Sequence, residues 1–499
     1  MRASAPSPPP AVPGMTTVRR AVAFSFFESY LGILINLVSF FLLARLLTPA
    51  QVGLFSVAMA IISITQVIRD FGLVSFLIQK KDLTRDYIAT AWGLALLLGL
   101  TLFLLIQLGA PFIGAFYKED SLTTIARIVS LNFLVLPFNS VSLALLRRDM
   151  QFKTTMRLNL TAAFLSTVGT LTMAWMGVGA YSLAIGAVLN NVIVALGLLH
   201  LGAASRLARP MLGHWREILR FGGPLTAANV VTSITMDIND LAVGKIMGFN
   251  AVAIASRAQG LMNLFHRDFM NAVRNVAFPA FSQVYRDGGS VEEKYMATLN
   301  NVTAVAWTFY GFAALFPLEV LRLMFGPQWD QSAPLVPVFC LAGAVSVLNT
   351  MIPTAMLAVG HPKTVASGEM LMQPVKAVSL CVLVFYFRDL YVFAVGFMLI
   401  AALSVPFWYT LKQRALPTDF RALARNTLRN LFVAGVSLAP AFAVTSLMRP
   451  SGQALHTPLF LACMGATALA WLAMLWALKH TLYAEFMGMT ARFRAKPQA

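Results

Sequence analysis

Charged residues are scarce in this sequence. Only 12% of its 499 residues are Asp, Glu, Lys or Arg, whereas 58% are hydrophobic. Soluble domains carry about 25% charged residues, because water solvates their surfaces. Half of that charge excludes an ordinary soluble protein and indicates a chain whose surroundings are apolar. Apolar runs of about 20 residues, the length that crosses a bilayer as a helix, recur from Ala21 almost to Lys479.

Cysteine is rare, and nucleotide-binding and catalytic motifs are missing. The three cysteines, Cys340, Cys381 and Cys463, all fall inside apolar runs, which argues against a disulfide framework or a metal site. No G-x-x-x-x-G-K-S/T motif occurs, so no phosphate-binding loop of an ATPase is present. No Ser/His/Asp or Cys/His set indicates nucleophilic catalysis. These absences favour a transporter without a bound cofactor, driven by a gradient, rather than an enzyme.

The apolar runs predict an all-α polytopic membrane protein with about fourteen transmembrane helices. Their expected extents are 21–44, 53–76, 88–108, 122–145, 157–177, 180–201, 221–245, 250–282, 300–325, 332–358, 364–387, 389–411, 428–448 and 457–479. We expect a disordered Pro-rich tail (1–20), an N-lobe of six helices (21–210), a C-lobe of six helices (211–420), a terminal helix pair (421–480) and a second tail (481–499).

Positive charge is unevenly distributed over the predicted loops. The net charge is +18, and Lys and Arg are roughly five times as frequent in the loops on one side as in those on the other. Cytoplasmic loops retain Lys and Arg, so this asymmetry predicts both termini in the cytoplasm. The charge is therefore mainly a topology signal, with some attraction to anionic lipid, and does not indicate nucleic acid.

Three predicted spans carry polar side chains along one face, judged from about 100° of rotation per helical residue. In the seventh span this face consists of Thr226, Asn229, Ser233, Asp237 and Asp240. In the eighth it consists of Ser256, Gln259, Asn263, Arg267, Asn271 and Arg274, and in the first of Ser25, Glu28, Gly32, Asn36 and Ser39. An ionised side chain facing lipid costs at least about 2.5 kcal/mol. We therefore expect these faces to surround a water-filled cavity.

Two interpretations of these polar faces remain open. Ser, Thr and Asn side chains often bond helices to one another, and this structural role is favoured for Ser39, Thr226 and Ser233. Ionisable groups within a membrane usually mark a substrate or ion route. A functional role is favoured for Asp237, Asp240, Arg267 and Arg274.

Other ionisable residues lie in or near the predicted spans. Arg69 and Asp70, toward the cytoplasmic end of the second span, are interpreted as a gate pair. Glu319 and Arg322 are three residues apart, which predicts that they pair with each other.

The eleventh predicted span carries a separated charge pair. Glu369 and Lys376 share a face there, but seven residues place them about 10 Å apart. Neither satisfies the other directly, so both are candidates for the cavity. His266 is the one histidine well inside a predicted span, and a packed role is favoured for it.

An internal repeat is indicated by residues 44–56, ARLLTPAQVGLFS, which align with residues 244–256, GKIMGFNAVAIAS. A cation, a short Gly or Pro turn, and then Val and Ser recur in register, and each stretch joins a polar-faced helix to its successor. Many transporters consist of two related halves with the substrate site at their interface. The repeat predicts two pseudo-symmetric lobes.

Four stretches of the chain are similar, in order, to a known family. Residues 42–79 (LLARLLTPAQVGLFSVAMAIISITQVIRDFGLVSFLIQ), 219–248, 255–283 and 324–343 (MFGPQWDQSAPLVPVFCLAG) resemble the polysaccharide-transporter (Wzx-type) flippases of the MOP superfamily. The resemblance covers nearly the whole chain. It implies a V-shaped bundle in the bacterial inner membrane that moves lipid-linked oligosaccharides by alternating access.

The resemblance also implies a cargo, partners and site residues. The cargo would be an undecaprenyl-diphosphate-linked repeat unit, passed to a polysaccharide polymerase, with a chain-length regulator as a further partner. The positions that match charged cavity residues of the family are Glu28, Arg69, Asp70, Asp237, Asp240, Arg267 and Arg274.

Side-chain chemistry assigns roles to these residues. Guanidinium groups suit phosphate oxygens, so Arg267 and Arg274 are expected to contact the diphosphate. Glycan hydroxyls suit Asn229, Gln259 and Asn263. Asn36 and Asn271, on the same polar faces, are further candidate residues of the substrate cavity. The carboxylates of Asp237 and Asp240 would carry H⁺ or Na⁺, or balance the arginines.

Two other functions remain open. Another MOP branch, either a cation-coupled multidrug antiporter or a peptidoglycan-precursor flippase, would share the fold. A membrane-embedded glycosyltransferase or polymerase would need a large extracytoplasmic loop, and the predicted outer loops are short.

Overall fold

A computed structural model describes residues 31, 32, 35, 38–203, 207, 209–448, 454–483 and 487. Throughout this part of the chain the secondary structure is helical and contains no strand. The expected all-α membrane protein is therefore confirmed. Both predicted tails lie largely or wholly outside the described residues, as do the sequence-predicted site residues Glu28 and Asn36.

Residues 38–46 are helical and precede α1. The N-terminal helices are α1 (Pro49–Asp70), α2 (Leu73–Gln79), α3 (Arg85–Tyr117), α4 (Asp120–Ser130), α5 (Asn132–Arg148), α6 (Phe152–Trp175), α7 (Ala180–His200) and α8 (Trp215–Met247). Those that follow are α9 (Phe249–Asn263), a π-helical turn (Leu264–Phe269), α10 (Met270–Arg286), α11 (Val291–Leu315), α12 (Pro317–Met324), a 3₁₀ helix (Pro327–Leu335), α13 (Val336–Ser346), α14 (Ile352–Ala358), α15 (Pro362–Phe387), α16 (Leu390–Ala415), α17 (Phe420–Met448) and α18 (Thr457–Ala477).

Eight helices, or helices joined across a short break, are long and apolar enough to cross a membrane within the described ranges. The bent pair α11 and α12, which meet at 91°, makes a ninth if it is one span. Helices α6 and α8 do not belong to this set. Helix α8 carries the polar face that was predicted for the seventh span. The expectation of about fourteen spans stays a prediction.

The chain forms two compact units, Met1–Ile234 and Thr235–Ala499, which divide within α8. In the first unit α6 packs along α7, and α3 packs along α4 and α5. In the second unit α11 packs along α17 and α13, α13 along α16, and α17 along α18.

Helix α1 has strong start and stop signals. Thr48 Oγ1 accepts a hydrogen bond from Gln51 N at 3.3 Å, and Gln51 Oε1 accepts one from Thr48 N at 3.0 Å. This capping box satisfies amide groups that the first turn leaves unpaired. The helix ends at Phe71 and Gly72, which both have positive φ, at 34° and 65°. The break turns the chain into α2 and was not predicted.

Helix α8 crosses the break between α1 and α2 at very short range. A Cβ atom on Gly222 would lie 2.0 Å from the carbonyl oxygen of Phe71. Only a residue without a side chain permits this approach. The next residue, Gly223, has its closest neighbour, the Phe71 ring, at 3.9 Å. The first half of α8 is thereby fixed against α1.

Several predicted spans are interrupted. The fourth breaks at Leu131, the ninth bends after Leu315, and the tenth consists of a 3₁₀ helix, α13 and α14, separated by the turn at 347–351. The signals at these breaks are weak: the bend after Leu315 carries Pro317, and the turn at 347–351 carries Asn349 and Thr350, within otherwise apolar runs.

The expected ion pair of Glu319 with Arg322 is wrong. The Arg322 guanidinium binds Asp330 instead, with Nη2 at 2.6 Å from Oδ2 and Nε at 2.9 Å from Oδ1. Buried Glu319 accepts a hydrogen bond of 2.9 Å from the backbone amide of Leu455. The bend between α11 and α12 brings Asp330 of the 3₁₀ helix to Arg322, a contact that helical spacing does not reveal.

Two buried polar networks join helices of the second unit. Lys412 is fully buried; it binds Glu292 and donates a hydrogen bond of 2.8 Å to Thr418 Oγ1. Asn430 donates hydrogen bonds to Asn300 Oδ1 at 3.0 Å and to Thr303 Oγ1 at 2.6 Å. Each network satisfies groups whose burial without partners costs about 1–3 kcal/mol.

His480 extends the second network at the end of α18. Its Nδ1 accepts a hydrogen bond from the Leu482 amide, and its Nε2 lies 3.1 Å from Asn430 Oδ1. Burial, together with the nearby Arg429, lowers the pKa of His480 to about 4. The ring is therefore neutral near pH 7, with Nε2 as the donor.

Candidate functional site

The π-helical turn at Leu264–Phe269 interrupts the predicted polar face of the eighth span. It joins α9 to α10 and changes the direction in which the following side chains point, since a π-turn adds a residue to the helical repeat. Tyr310 donates a hydrogen bond of 3.2 Å to the carbonyl of Met262, just before the turn. Gly343 makes room for the Tyr310 ring, because a Cβ there would lie 2.6 Å from Tyr310 Cζ. Tyr310 therefore stabilises the turn.

Arg267 lies within this turn and has an acidic partner. Its Nε donates a hydrogen bond of 3.0 Å to Oδ1 of Asp268. Both side chains are accessible, at 69% and 45%. Asp268 partly neutralises Arg267, so this arginine is a less available anion ligand than the sequence suggested.

Arg274 is held by two neighbouring side chains. Its Nη2 donates a hydrogen bond of 2.5 Å to Asn271 Oδ1, one helical turn earlier. Its Nη1 donates one of 3.3 Å to Thr350 Oγ1, in the turn between α13 and α14. Both partners are neutral, so the guanidinium keeps its full charge and a fixed orientation.

Helix α15 carries a further cation, Lys376, within electrostatic range of His266. Both Lys376 and Arg274 lie close enough to His266 for their charges to act on its ring. Lys376 Nζ also lies 4.1 Å from the centroid of the Phe397 ring, a cation–π contact. Arg274, His266 and Lys376 are referred to below as the basic cluster.

The acidic counterpart of the basic cluster is Glu369, which lies within electrostatic range of Lys376. Gln373, one turn from Glu369, donates a hydrogen bond of 2.9 Å to its Oε2. The sequence placed Glu369 and Lys376 on one face, as candidates for the cavity. It missed Thr350 and Gln373, and it favoured a packed role for His266.

The other sequence-predicted residues of the second unit are Asp237, Asp240, Gln259 and Asn263, all partly buried. Asp237 and Asp240 are one turn apart on α8, and the charge of Asp237 acts on Asp240. In the first unit Asn229 is exposed on α8. Among the predicted site residues, Arg274 is therefore hydrogen-bonded to Asn271, and Asp237 lies within electrostatic range of Asp240.

Arg69 and Asp70 pair with each other at the end of α1. Arg69 Nε donates a hydrogen bond of 3.0 Å to Asp70 Oδ1, and its Nη2 binds the same oxygen. Arg69 is buried, whereas the Asp70 side chain is 54% accessible. The pair stands directly before the Phe71–Gly72 break, where α8 makes its close approach.

The chemistry of the basic cluster suits an anion with several oxygens. A guanidinium presents paired N–H donors to phosphate, and an ammonium adds a point charge. For a metal ion the side chains are unsuitable: within the described ranges no three His, Cys, Asp or Glu residues come together as ligands.

A family model described as "Polysaccharide biosynthesis protein" matches residues 42–334. The chain belongs to this family. The match spans α1 to α12 and most of the 3₁₀ helix, and it includes Arg267 and Arg274. The resemblance to Wzx-type polysaccharide transporters is confirmed.

Curated relatives carry related names. The lipopolysaccharide biosynthesis protein WzxC of Escherichia coli (strain K12) is 23% identical over 333 residues, which cover 65% of this chain and 66% of that protein. The succinoglycan biosynthesis transport protein ExoT of Rhizobium meliloti (strain 1021) is 25% identical over 346 residues, 68% of each chain. The chain thus matches about two thirds of the length of these relatives.

Solved structures share the fold. The lipid II flippase MurJ, in an inward closed conformation, has a TM-score of 0.71 at 13% identity and covers 91% of this chain and 97% of its own. An inward-facing multidrug resistance MATE family transporter of the MOP superfamily has a TM-score of 0.59 at 17% identity. The match covers 79% of this chain and 95% of that transporter. At these identities the two structures show a shared fold.

Proposed function

We propose that the protein translocates undecaprenyl-diphosphate-linked oligosaccharide repeat units across the bacterial inner membrane, by ion-coupled alternating access. The product would be an exopolysaccharide or an O-antigen-type polysaccharide. The basic cluster is the observation that supports this proposal most strongly, because ionisable residues inside a membrane protein usually mark a substrate or ion route. Family membership supplies the polysaccharide context.

Arg274 would bind the diphosphate directly. Its orientation by Thr350 and Asn271 lowers the entropy lost when it engages phosphate oxygens, since a pre-organised donor has fewer conformations to give up. Lys376 would add a second positive charge, and Gln259 and Asn263 would bond to glycan hydroxyls. Arg267, paired with Asp268, would have a smaller part.

Asp237 and Asp240 would couple transport to H⁺ or Na⁺. Two carboxylates one turn apart repel each other when both are ionised, and a bound cation relieves this repulsion. Replacing both with Asn would make transport independent of the ion gradient, measured in proteoliposomes with an imposed H⁺ or Na⁺ gradient. Unchanged gradient dependence in this variant would remove the pair from the coupling role.

Orientation and partners belong to the same proposal. Both termini would lie in the cytoplasm, and the cargo would be delivered at the periplasmic face to a polymerase, whose products a chain-length regulator controls. Reporter fusions at each terminus, active only in the cytoplasm or only in the periplasm, test the orientation.

A peptidoglycan-precursor flippase is the second candidate function. The MurJ fold, with its TM-score of 0.71 over 91% of the chain, favours it over a drug antiporter. Lipid II also carries a diphosphate, so the basic cluster suits both cargoes. Complementation of a strain depleted of its lipid II flippase separates the two: growth would favour lipid II as cargo, whereas restored polymer in a strain lacking its polysaccharide flippase favours the repeat unit.

The direct test of the site replaces Arg274 with Ala in cells that need this protein for polymer export. Lipid-linked repeat units should accumulate at the cytoplasmic face, and polymer should be lost. Arg157→Ala, which removes an exposed arginine from α6, is the matched control and should leave export intact. Normal polymer from the Arg274 variant, at normal protein level, would contradict the proposal.

A further inference from the structure

An apolar groove of about 450 Å³ opens beside α3 in the first unit. Its walls include Leu97, Leu100, Phe133, Leu134, Met211 and Leu212. Leu97 and Leu100 are each 51% exposed, and α3 is one of the helices apolar enough to cross the membrane. The groove is therefore open on the side where α3 faces lipid.

One wall is a non-helical segment that is fixed tightly to α3. The amide of Met211 donates a hydrogen bond of 3.2 Å to the carbonyl of Ala89. A Cβ on Gly93 would lie 2.4 Å from the carbonyl oxygen of Met211, so a glycine is required at this contact. The Met211 backbone is already in direct contact with α3, so this wall cannot come closer and close the groove.

Exposed arginines flank the wall segment of the groove in the sequence. Exposed Arg209 directly precedes the wall, exposed Arg216 follows it at the start of α8, and exposed Arg85 begins α3. The Arg216 guanidinium lies 5.5 Å from the ring of Trp215, which is itself exposed. A tryptophan beside an arginine is typical of the membrane–water interface.

Nearby acidic residues do not neutralise the positive charge of Arg209 and Arg216. Glu217 is bound by Lys80 Nζ at 2.5 Å and by the Tyr87 hydroxyl at 2.8 Å. Asp82 and Asp86 are exposed on the other side of Arg85. Arg209 and Arg216 are left as cations that flank the wall of the groove.

We propose that this groove binds one acyl chain of an anionic phospholipid, whose headgroup is held by Arg209 and Arg216. The exposed leucines of the groove suit a hydrocarbon chain, and Arg209 and Arg216 suit the phosphate of an anionic headgroup.

A lipid bound here connects α3 to the beginning of α8. The acyl chain contacts the wall segment, and the headgroup lies at the first turn of α8, which makes the close approach to Phe71. The lipid thus stabilises this arrangement of the first unit, whatever the cargo of the protein.

The test uses the full-length protein in nanodiscs that contain phosphatidylglycerol and phosphatidylcholine with identical acyl chains. Lipids that remain bound after mild detergent extraction are counted by native mass spectrometry. We expect one retained phosphatidylglycerol molecule, which Leu97→Trp removes by filling the groove. Each of Arg209→Gln and Arg216→Gln should lower the phosphatidylglycerol affinity roughly five-fold, the effect of one cation at an anionic membrane surface.

Two control variants separate the groove from the general lipid surface. Leu105→Trp adds the same ring to α3 at a position that is 60% exposed and outside the groove, and Arg157→Gln removes a distant exposed charge. Both should retain the lipid as the wild type does. Equal retention by the wild type and Leu97→Trp, or equal retention of phosphatidylcholine and phosphatidylglycerol, would overturn the proposal.

Discussion

Thr350 accepts a hydrogen bond of 3.3 Å from Nη1 of Arg274. The contact crosses from the turn after α13 to α10 and directs one edge of the guanidinium, while Asn271 directs the other. An arginine held in this way differs from Arg267, whose accessible guanidinium is paired with Asp268. Arg267 and Arg274 were predicted to lie on one helical face, but their different partners suit them to different roles.

Thr350→Val should lower transport roughly ten-fold, because a hydrogen bond to a charged group contributes about 1.5–3 kcal/mol. Thr350→Ser, which keeps the hydroxyl, should restore most of the activity. Initial rates in proteoliposomes measure both. Thr298→Val is the control, since Thr298 on α11 is partly buried and its hydroxyl donates a hydrogen bond to the carbonyl of Lys294, one turn earlier. Full activity of Thr350→Val would show that the orientation of Arg274 is unimportant.

Gly222→Ala should destabilise the protein by about 1–3 kcal/mol, because the new methyl group would overlap the carbonyl of Phe71. Gly223→Ala places a methyl group at ordinary contact distance, and should be neutral or stabilising by up to about 1 kcal/mol, the helix propensity gained. Melting temperatures of the two purified variants measure the difference. Equal melting temperatures would contradict the close approach of α8 to the break.

Tyr310→Phe should destabilise the π-turn by about 0.5–1.5 kcal/mol, since the carbonyl of Met262 loses its side-chain donor. Hydrogen exchange of the amides at 262–269 should become faster, while the rest of α9 is unchanged. Tyr285→Phe, at an exposed position on α10, provides the comparison. If exchange in the turn is the same in both variants, Tyr310 does not stabilise it.

The pair of Lys80 and Glu217 should make stability depend on pH at both extremes. Their hydrogen bond lowers the pKa of Glu217 and raises the pKa of Lys80. The stability from Glu217 is present above its unfolded value of about 4.3 and is lost as pH falls through the lowered pKa. The stability from Lys80 is present below about 10.4 and is lost as pH rises through the raised pKa.

Glu217→Gln should therefore reduce the melting temperature at pH 7, and the difference from the wild type should disappear in strong acid. Glu293→Gln removes another exposed glutamate from a first helical turn, that of α11, and should show a much smaller difference at pH 7. A difference for Glu217→Gln that is constant down to pH 3 would mean that the ion pair does not contribute.

Periodicity predicted the helical membrane fold, but not the departures from regular helix. Arg274 and Asn271 were placed on one face, as found, because both lie on α10. Arg322 was assigned to Glu319 rather than to Asp330, because the bend that brings Asp330 near depends on tertiary packing. The partnership of Arg274 with Thr350 links residues 76 positions apart, and nothing in helical spacing indicates it.

In the proposed function, Arg274 takes part in moving a diphosphate-linked oligosaccharide across the bilayer. The most direct test of this role is translocation of a fluorescent undecaprenyl-diphosphate oligosaccharide in proteoliposomes, followed by protection from a membrane-impermeant quencher. The wild type and Arg157→Gln should redistribute the lipid between leaflets, and Arg274→Gln should not. Redistribution by Arg274→Gln at the wild-type rate, or none by the wild type, would contradict the claim.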